Sequence, residues 1–164
     1  MQGSTLSAES LEKIDREIAK YPPEQKQSAV MAALIVAQDE KGWLAAETLD
    51  FVAKYLGMPP VAVYEVASFY NLYNLKPAGT WKLSICTCLP CGLQGSLDAA
   101  DYFREKLGIG FNETTPDGMF TLKEGECMGA CAMAPVVLVN NKRMCDSMSK
   151  DRIDALIDEL AKNA

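Results

Sequence analysis

The placement of the cysteines constrains this chain most. All six cysteines follow residue 79, and five of them fall in two short groups. The first group reads Cys86-Thr87-Cys88-Leu89-Pro90-Cys91, and the second reads Cys127-Met128-Gly129-Ala130-Cys131. Thiols that come from two separate segments, in loops at predicted strand ends, are typical of a metal site. The fold is therefore expected to bring two distant loops together.

The 164 residues divide near Lys76-Pro77-Ala78-Gly79 into two parts with different patterns. In residues 1–79, apolar residues recur at helical spacing in four segments, which predicts an N-terminal helical bundle. Prolines at the starts of helices and glycines at their ends mark the predicted limits. These markers are Pro22-Pro23, Gly42, Gly57 and Pro59-Pro60.

Residues 80–164 alternate between strand and helix patterns in the order β-α-β-β-β-α. This order predicts a small open α/β domain, so the whole chain is predicted to be α+β. The predicted strands are 81–85, 119–122, 136–139 and 142–145, and the predicted helices are 95–107 and 151–161.

Composition excludes several functions. The chain has no histidine, which excludes Ser-His-Asp and Cys-His catalysis, His-ligated zinc and the Rieske centre. The net charge of −6 argues against a nucleic-acid partner. The longest apolar run, residues 29–37, is far shorter than the roughly 20 residues of a membrane span, so we expect no direct membrane insertion. The N-terminus resembles neither a signal peptide nor a transit peptide, which predicts a cytoplasmic protein.

Three functional interpretations of the cysteine groups stay open at this point. The C-x-x-C of Cys88 and Cys91, on a strand-to-helix turn, would suit a thiol-disulfide oxidoreductase. Zinc normally favours two C-x-x-C pairs, and the pair of Cys127 and Cys131 is one residue too long. A [2Fe–2S] cluster needs four thiolates, and small residues around Cys131 would let backbone N–H groups approach the sulfurs.

The motifs of the two loops resemble the thioredoxin-like [2Fe–2S] subunit of NADH:quinone oxidoreductase, respiratory complex I. In the second half, the resemblance rests on Cys86-Thr87-(x2)-Pro90-Cys91, Glu126-Cys127-Met128-Gly129-Ala130-Cys131, Ala134-Pro135 and Val139-Asn140. In the helical half, it rests on Gly42-Trp43-Leu44, Leu56-Gly57-Met58, Val63-Tyr64-Glu65-Val66-Ala67 and Ser68-Phe69-Tyr70. The resemblance extends from about Leu11 to Leu160.

The resemblance implies a thioredoxin-like α/β domain whose [2Fe–2S] cluster is held by Cys86, Cys91, Cys127 and Cys131. It implies an electron-transfer subunit of an NADH dehydrogenase, an oxidoreductase complex associated with a membrane. The cluster would exchange one electron with the flavin of a partner subunit, which would bind FMN and NADH. Equivalent subunits of NAD-linked hydrogenases and formate dehydrogenases are alternatives. Consistent with this, no dinucleotide-binding G-x-G-x-x-G follows a predicted strand.

Two cysteines and an aromatic segment are not assigned by the resemblance. Cys88 departs from the family's pattern, which usually has a non-ligand residue there. Cys145 lies outside both motifs and is expected to be a buried thiol in a terminal strand. Phe69, Tyr70 and Tyr73 are expected either to pack in the core or to anchor the flavin-bearing subunit.

Overall fold

The computed structural model describes residues 6–163. The chain divides into two compact units that join at Pro77 and Ala78. The backbone N–H of Gly79 donates to the hydroxyl of Thr121 at 2.6 Å. This bond ties the start of the second unit to its sheet.

The division lies two residues before the boundary predicted from the sequence. The assignment of two domains, 1–79 and 80–164, stays a prediction.

The first unit is helical. Its elements are α1 (Ala8–Ile18), a 3-10 segment (Pro23–Ala29), α2 (Val30–Lys41), α3 (Ala46–Leu56) and α4 (Pro60–Phe69). The sequence predicted the ends of α2 and α3 correctly. Gly42 and Gly57 follow them with φ of 79° and 69°, which glycine adopts without steric cost.

One predicted helix start was wrong. The sequence placed it at Pro22-Pro23, but that segment forms the 3-10 turns, and the α-helix begins only at Val30. Gln25 breaks the regular helix with φ of −114° and ψ of 27°. Proline fixes φ at a helix start but does not decide between 3-10 and α hydrogen bonding, so its presence could not distinguish the two.

A buried glutamine joins α2 to the end of the helical unit. The side-chain amide of Gln38 donates to the carbonyl of Leu72 at 3.0 Å and accepts from the N–H of Asn74 at 2.6 Å. Because both ends of the amide are paired, burying it carries little penalty. The segment after α4 is thereby fixed against α2.

The second unit contains strands and helices in alternation. The elements in chain order are β1 (Trp81–Cys86), α5 (Leu89–Gly92), α6 (Ser96–Leu107), β2 (Glu113–Thr114), β3 (Phe120–Gly125), a 3-10 turn (Cys131–Met133), β4 (Val137–Val139), β5 (Arg143–Cys145) and α7 (Lys150–Lys162). The strands form a five-stranded sheet in the order β2-β3-β1-β4-β5. The pair of β1 and β3 runs parallel, and the other pairs are antiparallel.

The hydrophobic core of this unit lies on one face of the sheet. Leu83 and Ile85 of β1 alternate with more polar residues, so they project to the same side. Apolar residues of α6 and α7, including Phe103 and Ile153, complete one buried cluster with them. The sheet packs against the two helices in two layers. With the helical first unit, this arrangement confirms the α+β class predicted from the sequence.

The sequence missed two short elements of this unit. The helix α5 is only four residues long, and β2 is only two. Neither can show a hydrophobic period, which needs a longer window to be recognised. The strand β3 also extends to Gly125, three residues beyond its predicted end, because it pairs with β1 over its full length.

Phe103 tests the core of the sheet unit. This side chain is fully buried, and Phe103→Ala is expected to lower the free energy of unfolding by about 3–5 kcal/mol. Chemical denaturation of the full chain measures the change. Leu97→Ala, on the exposed side of the same helix, is the control and should cost less than about 1 kcal/mol. Equal costs for the two variants would contradict this description of the core.

Candidate metal centre

The first cysteine loop begins where β1 ends in the middle of the sheet. The N–H of Cys86 donates to the carbonyl of Val136, at 3.1 Å, and its own carbonyl accepts a short hydrogen bond from the hydroxyl of Ser96. Only 1% of Cys86 is exposed. The backbone of this cysteine is therefore held from both sides, and its thiol is shielded from solvent.

The second cysteine of this loop is held by the one-turn helix α5. Pro90 lies in the first turn of α5, where its lack of an N–H costs nothing. The N–H of Gly92 donates to the carbonyl of Cys88 at 2.9 Å and closes the turn around Cys91. Cys91 is 1% exposed. Its thiol interacts with the thiols of Cys86 and Cys131.

The second cysteine loop leaves β3 immediately beside the first. Gly125 ends the strand opposite Cys86. A Cβ atom at Gly125 would lie 2.7 Å from Cε of Met128 and 3.1 Å from the carbonyl oxygen of Ile85. Glycine therefore suits the close approach of the loop to β1, because a larger residue would have to displace the end of Met128 and shift the Ile85 carbonyl slightly. Further along, Gly129 takes a φ of +68°, a left-handed conformation that favours glycine.

Gln94 connects the two loops. Its side-chain amide donates to the carbonyl of Cys131 at 2.8 Å. In addition, the Cys86 thiol lies 3.8 Å from the carbonyl oxygen of Glu126. These contacts reach from one loop to the other, so the loops form one site.

The structure thus brings the two cysteine loops together. Cys86 and Cys91 are buried, Cys131 is half-buried and Cys127 is exposed. Burial raises the pKa of Cys91, and the neighbouring thiols of Cys86 and Cys131 raise it further.

Cys88 belongs to the first cysteine loop, whereas Cys145 belongs to neither loop. The pKa of Cys88 is raised by desolvation and then by the nearby Cys127 thiol. Cys145 lies on β5 and is half-buried, with its pKa raised mainly by burial. Across residues 6–163, no three His, Cys, Asp or Glu side chains are arranged to hold a single metal ion.

The aromatic segment after α4 separates into two environments. Tyr73 is buried and donates its hydroxyl to the carbonyl of Met31 at 3.0 Å. Phe69 is 78% exposed, and its ring meets that of Tyr70 edge-on with centroids 4.9 Å apart. The expectation of core packing holds for Tyr73, whereas Phe69 and Tyr70 are exposed.

Sequence comparison identifies the family. Residues 14–161 match the family model for thioredoxin-like [2Fe–2S] ferredoxins. The E subunit of NADH-quinone oxidoreductase from Rickettsia conorii is 41% identical over 157 residues, which cover 95% of this chain and 93% of that protein. Subunit 2 of NADH-quinone oxidoreductase from Thermus thermophilus is 40% identical over 144 residues, 88% of this chain and 80% of that one.

A solved structure agrees at the level of the fold. The NAD+-reducing [NiFe]-hydrogenase in its air-oxidised state aligns with a TM-score of 0.70 and 23% identity, over 82% of this chain. The matched region is 23% of that longer hydrogenase chain. No helix within residues 6–163 is both long enough and apolar enough to cross a membrane.

The chain belongs to the thioredoxin-like [2Fe–2S] ferredoxin family, and its cofactor is a [2Fe–2S] cluster. It is an iron–sulfur electron-transport protein that resembles the E subunit of NADH-quinone oxidoreductase. The site fits this cofactor, because a [2Fe–2S] cluster takes four thiolates. The thiol of Cys91 neighbours those of Cys86 and Cys131, and Cys127 lies on the same loop as Cys131.

Sequence reasoning missed the residues that position the loops. Ser96 holds the carbonyl of Cys86, Gln94 joins the loops, and Gly125 allows their close approach. Of these three residues, only Gly125 could have been recognised from the sequence. A glycine two residues before a cysteine, at the end of a strand, suggests that another backbone segment approaches closely there.

Gly125 offers a test of this geometry. Gly125→Ala places a methyl group against Met128 and the Ile85 carbonyl, and displacing them costs about 1–3 kcal/mol. The variant should lose iron to a chelator faster than the unmodified chain does. Gly92→Ala is the control, because its Cβ would make only ordinary contacts with Leu97, at 3.7 Å. Equal rates of iron loss in the two variants would contradict a positioning role for Gly125.

Proposed function

We propose that this chain is the electron-transfer subunit of an NADH dehydrogenase complex, with Cys86, Cys91, Cys127 and Cys131 as the ligands of its [2Fe–2S] cluster. When bound, the cluster supplies one-electron transfer. One observation supports the ligand set above all, namely the contact between the two cysteine loops, in which the Gln94 amide donates to the carbonyl of Cys131 at 2.8 Å and the Cys86 thiol lies 3.8 Å from the carbonyl oxygen of Glu126. These contacts hold the two pairs of cysteines at one site.

The protein's own residues have three tasks in this proposal. The sheet and the hydrogen bond from Ser96 hold Cys86 in place. The closed turn of α5 holds Cys91 beside it, and Gln94 fixes the loop that carries Cys131. Rigid ligand positions limit the structural change that accompanies a change of charge, which favours rapid electron transfer.

The proposed partner is the flavin-bearing, NADH-oxidising subunit of the same complex, working in the cytoplasm at a membrane-associated assembly. The name of the relatives, NADH-quinone oxidoreductase, supports this choice. In addition, Leu89 and Leu93 on either side of Cys91 are 74% and 81% exposed. Large apolar side chains exposed next to a proposed redox site are suited to an interface. On the helical unit, Phe69 and Tyr70 are likewise large apolar side chains exposed to solvent.

Two alternatives use the same fold. An equivalent subunit of an NAD-linked hydrogenase is supported by the structural match to the NAD+-reducing [NiFe]-hydrogenase, and a formate dehydrogenase subunit would be a further variant. A thiol-disulfide oxidoreductase using Cys88 and Cys91 is less well supported. Such an enzyme needs a nucleophile with a lowered pKa, whereas the pKa values of both thiols are raised.

Replacing each of the six cysteines by serine tests the ligand set. Serine at Cys86, Cys91, Cys127 or Cys131 should abolish the cluster or leave an altered, oxygen-ligated centre. Cys88→Ser and Cys145→Ser are the matched controls and should keep near-normal iron. The measurements are iron content, the visible spectrum and electron paramagnetic resonance of the reduced protein. Cluster loss in Cys88→Ser with retention in Cys86→Ser would show that the first loop uses a different ligand.

Leu93 tests the partner surface. Leu93→Ser removes an exposed apolar side chain beside the proposed cluster, and binding to the purified flavin-bearing subunit should weaken by about 1–2 kcal/mol. Calorimetric titration measures the affinity, and an unchanged visible spectrum shows that the cluster is intact. Met144→Ser, also exposed but on β5, is the control. If both variants bind as tightly as the unmodified chain, the partner does not cover this loop.

A further inference from the structure

A lysine lies on the sheet face from which the Cys86 side chain projects. Lys123 of β3 pairs with Ser84 of β1, and Gly125 pairs with Cys86 two residues further along both strands. Alternate residues of a strand point to the same face of a sheet, and residues paired across two strands share a face. Cys86 and Lys123 therefore project from one face, opposite the face that packs against α6 and α7.

The second cysteine loop folds over this same face. A Cβ atom on Gly125 would point to the side of Cys86 and Lys123, and it would lie 2.7 Å from Cε of Met128. Met128 belongs to the second cysteine loop. That loop thus covers the part of the face where the Cys86 thiol emerges from β1.

The strand geometry sets the distance between Lys123 and the cysteine site. Neighbouring strands lie about 4.8 Å apart and each residue advances a strand by about 3.3 Å, which puts the Cα atoms of Lys123 and Cys86 about 8 Å apart. Lysine carries its charge at the end of a long side chain, so the ammonium lies close enough to act on a group bound to the Cys86 thiol. Charges in a partly buried setting are screened less than charges in water.

The Lys123 ammonium is partly desolvated without an opposite charge beside it. Lys123 is half-buried, and among the described residues no carboxylate forms an ion pair with it. Burial lowers the pKa of Lys123. The pKa of Lys82 is lowered to about 8, by burial first and then by the charge of Lys123. Since buried charges in proteins are normally paired, an anionic group at the cysteine site would be a suitable counter-charge.

We propose that the Lys123 ammonium raises the reduction potential of the [2Fe–2S] cluster by offsetting the negative charge that arrives with the electron. One-electron reduction converts one ferric iron to ferrous iron and makes the thiolate-bound site more negative by one charge. Reduction potentials of such clusters depend on net charge and on the groups around them. Lys123 is not a ligand and acts through its charge alone. The proposal rests on the proposed role of Cys86 as a ligand.

Redox titration of the full, cluster-loaded chain tests the proposal. Lys123→Met removes the charge and keeps the length of the side chain. The equilibrium constant for one-electron reduction should fall about tenfold, which is a shift of about 59 mV to lower potential. Electron paramagnetic resonance at a series of poised potentials measures the midpoint. Lys123→Arg keeps the charge and should keep the midpoint of the unmodified chain.

Lys162→Met is the matched control. Lys162 is exposed at the C-terminal end of α7, and its replacement changes the net charge of the chain by the same amount. Its charge is screened by solvent and salt, so the same equilibrium constant should change by less than about twofold. An equal shift in the two methionine variants would overturn the proposal, because net charge rather than position would then account for it.

A second neutral variant, Lys123→Gln, covers the case in which methionine disturbs the fold. Iron content and the visible spectrum show which variants hold the cluster. An unchanged midpoint in either neutral variant with an intact cluster would overturn the proposal. Iron loss from both neutral variants with full iron in Lys123→Arg would support it, because a cation that offsets the cluster's charge also favours its retention. Iron loss from all three would overturn it, since packing rather than charge would then matter at this position.

The outcomes separate this proposal from the ligand assignment. An unchanged midpoint in the neutral variants, together with cluster loss in Cys86→Ser, would reject the role of Lys123 and leave the ligand set intact. A lowered midpoint in Lys123→Met, together with a fully retained cluster in Cys86→Ser, would reject Cys86 as a ligand and leave the charge effect standing.

Discussion

The site depends on the parallel pairing of β1 with β3. In a parallel pair, both strands end at the same edge of the sheet, so the loops that follow them start side by side. Here the last pair is Cys86 with Gly125. The first cysteine of one loop is thus the last residue of β1, and the other loop begins directly opposite. Antiparallel pairing of the same strands would put the two cysteine groups at opposite edges.

The pairing alone does not determine how the thiols face one another. The loops are positioned by short-range contacts: Ser96 to the carbonyl of Cys86, and Gln94 to the carbonyl of Cys131. Both contacts are made by side chains at or just before the start of α6. That helix is anchored in turn by Phe103 in the core. Packing on the covered face of the sheet therefore stabilises the positions of thiols at its edge.

The sequence predicted the fold class, most helix ends and both cysteine loops, because these rest on local signals. Gly42 and Gly57 mark helix ends through a backbone conformation that few other residues adopt. The sequence left Tyr73 open between the core and a partner surface, since its buried position depends on a hydrogen bond to Met31, far away in sequence. The bond from Gln94 to Cys131 was missed for the same reason: a contact between two loops leaves no periodic pattern.

The first loop also shows why a C-x-x-C motif does not by itself define a thiol-disulfide enzyme. Cys88 and Cys91 have the spacing and the strand-to-helix turn of a redox pair. What differs is the neighbouring segment, where Cys127 and Cys131 follow the parallel strand β3. Exchange with a substrate disulfide starts from an accessible thiolate, which a lowered pKa favours. The pKa of Cys88, the first cysteine of the motif, is instead raised by desolvation and then by the Cys127 thiol. The environment of the loop therefore depends on the segment beside it, which the motif does not contain.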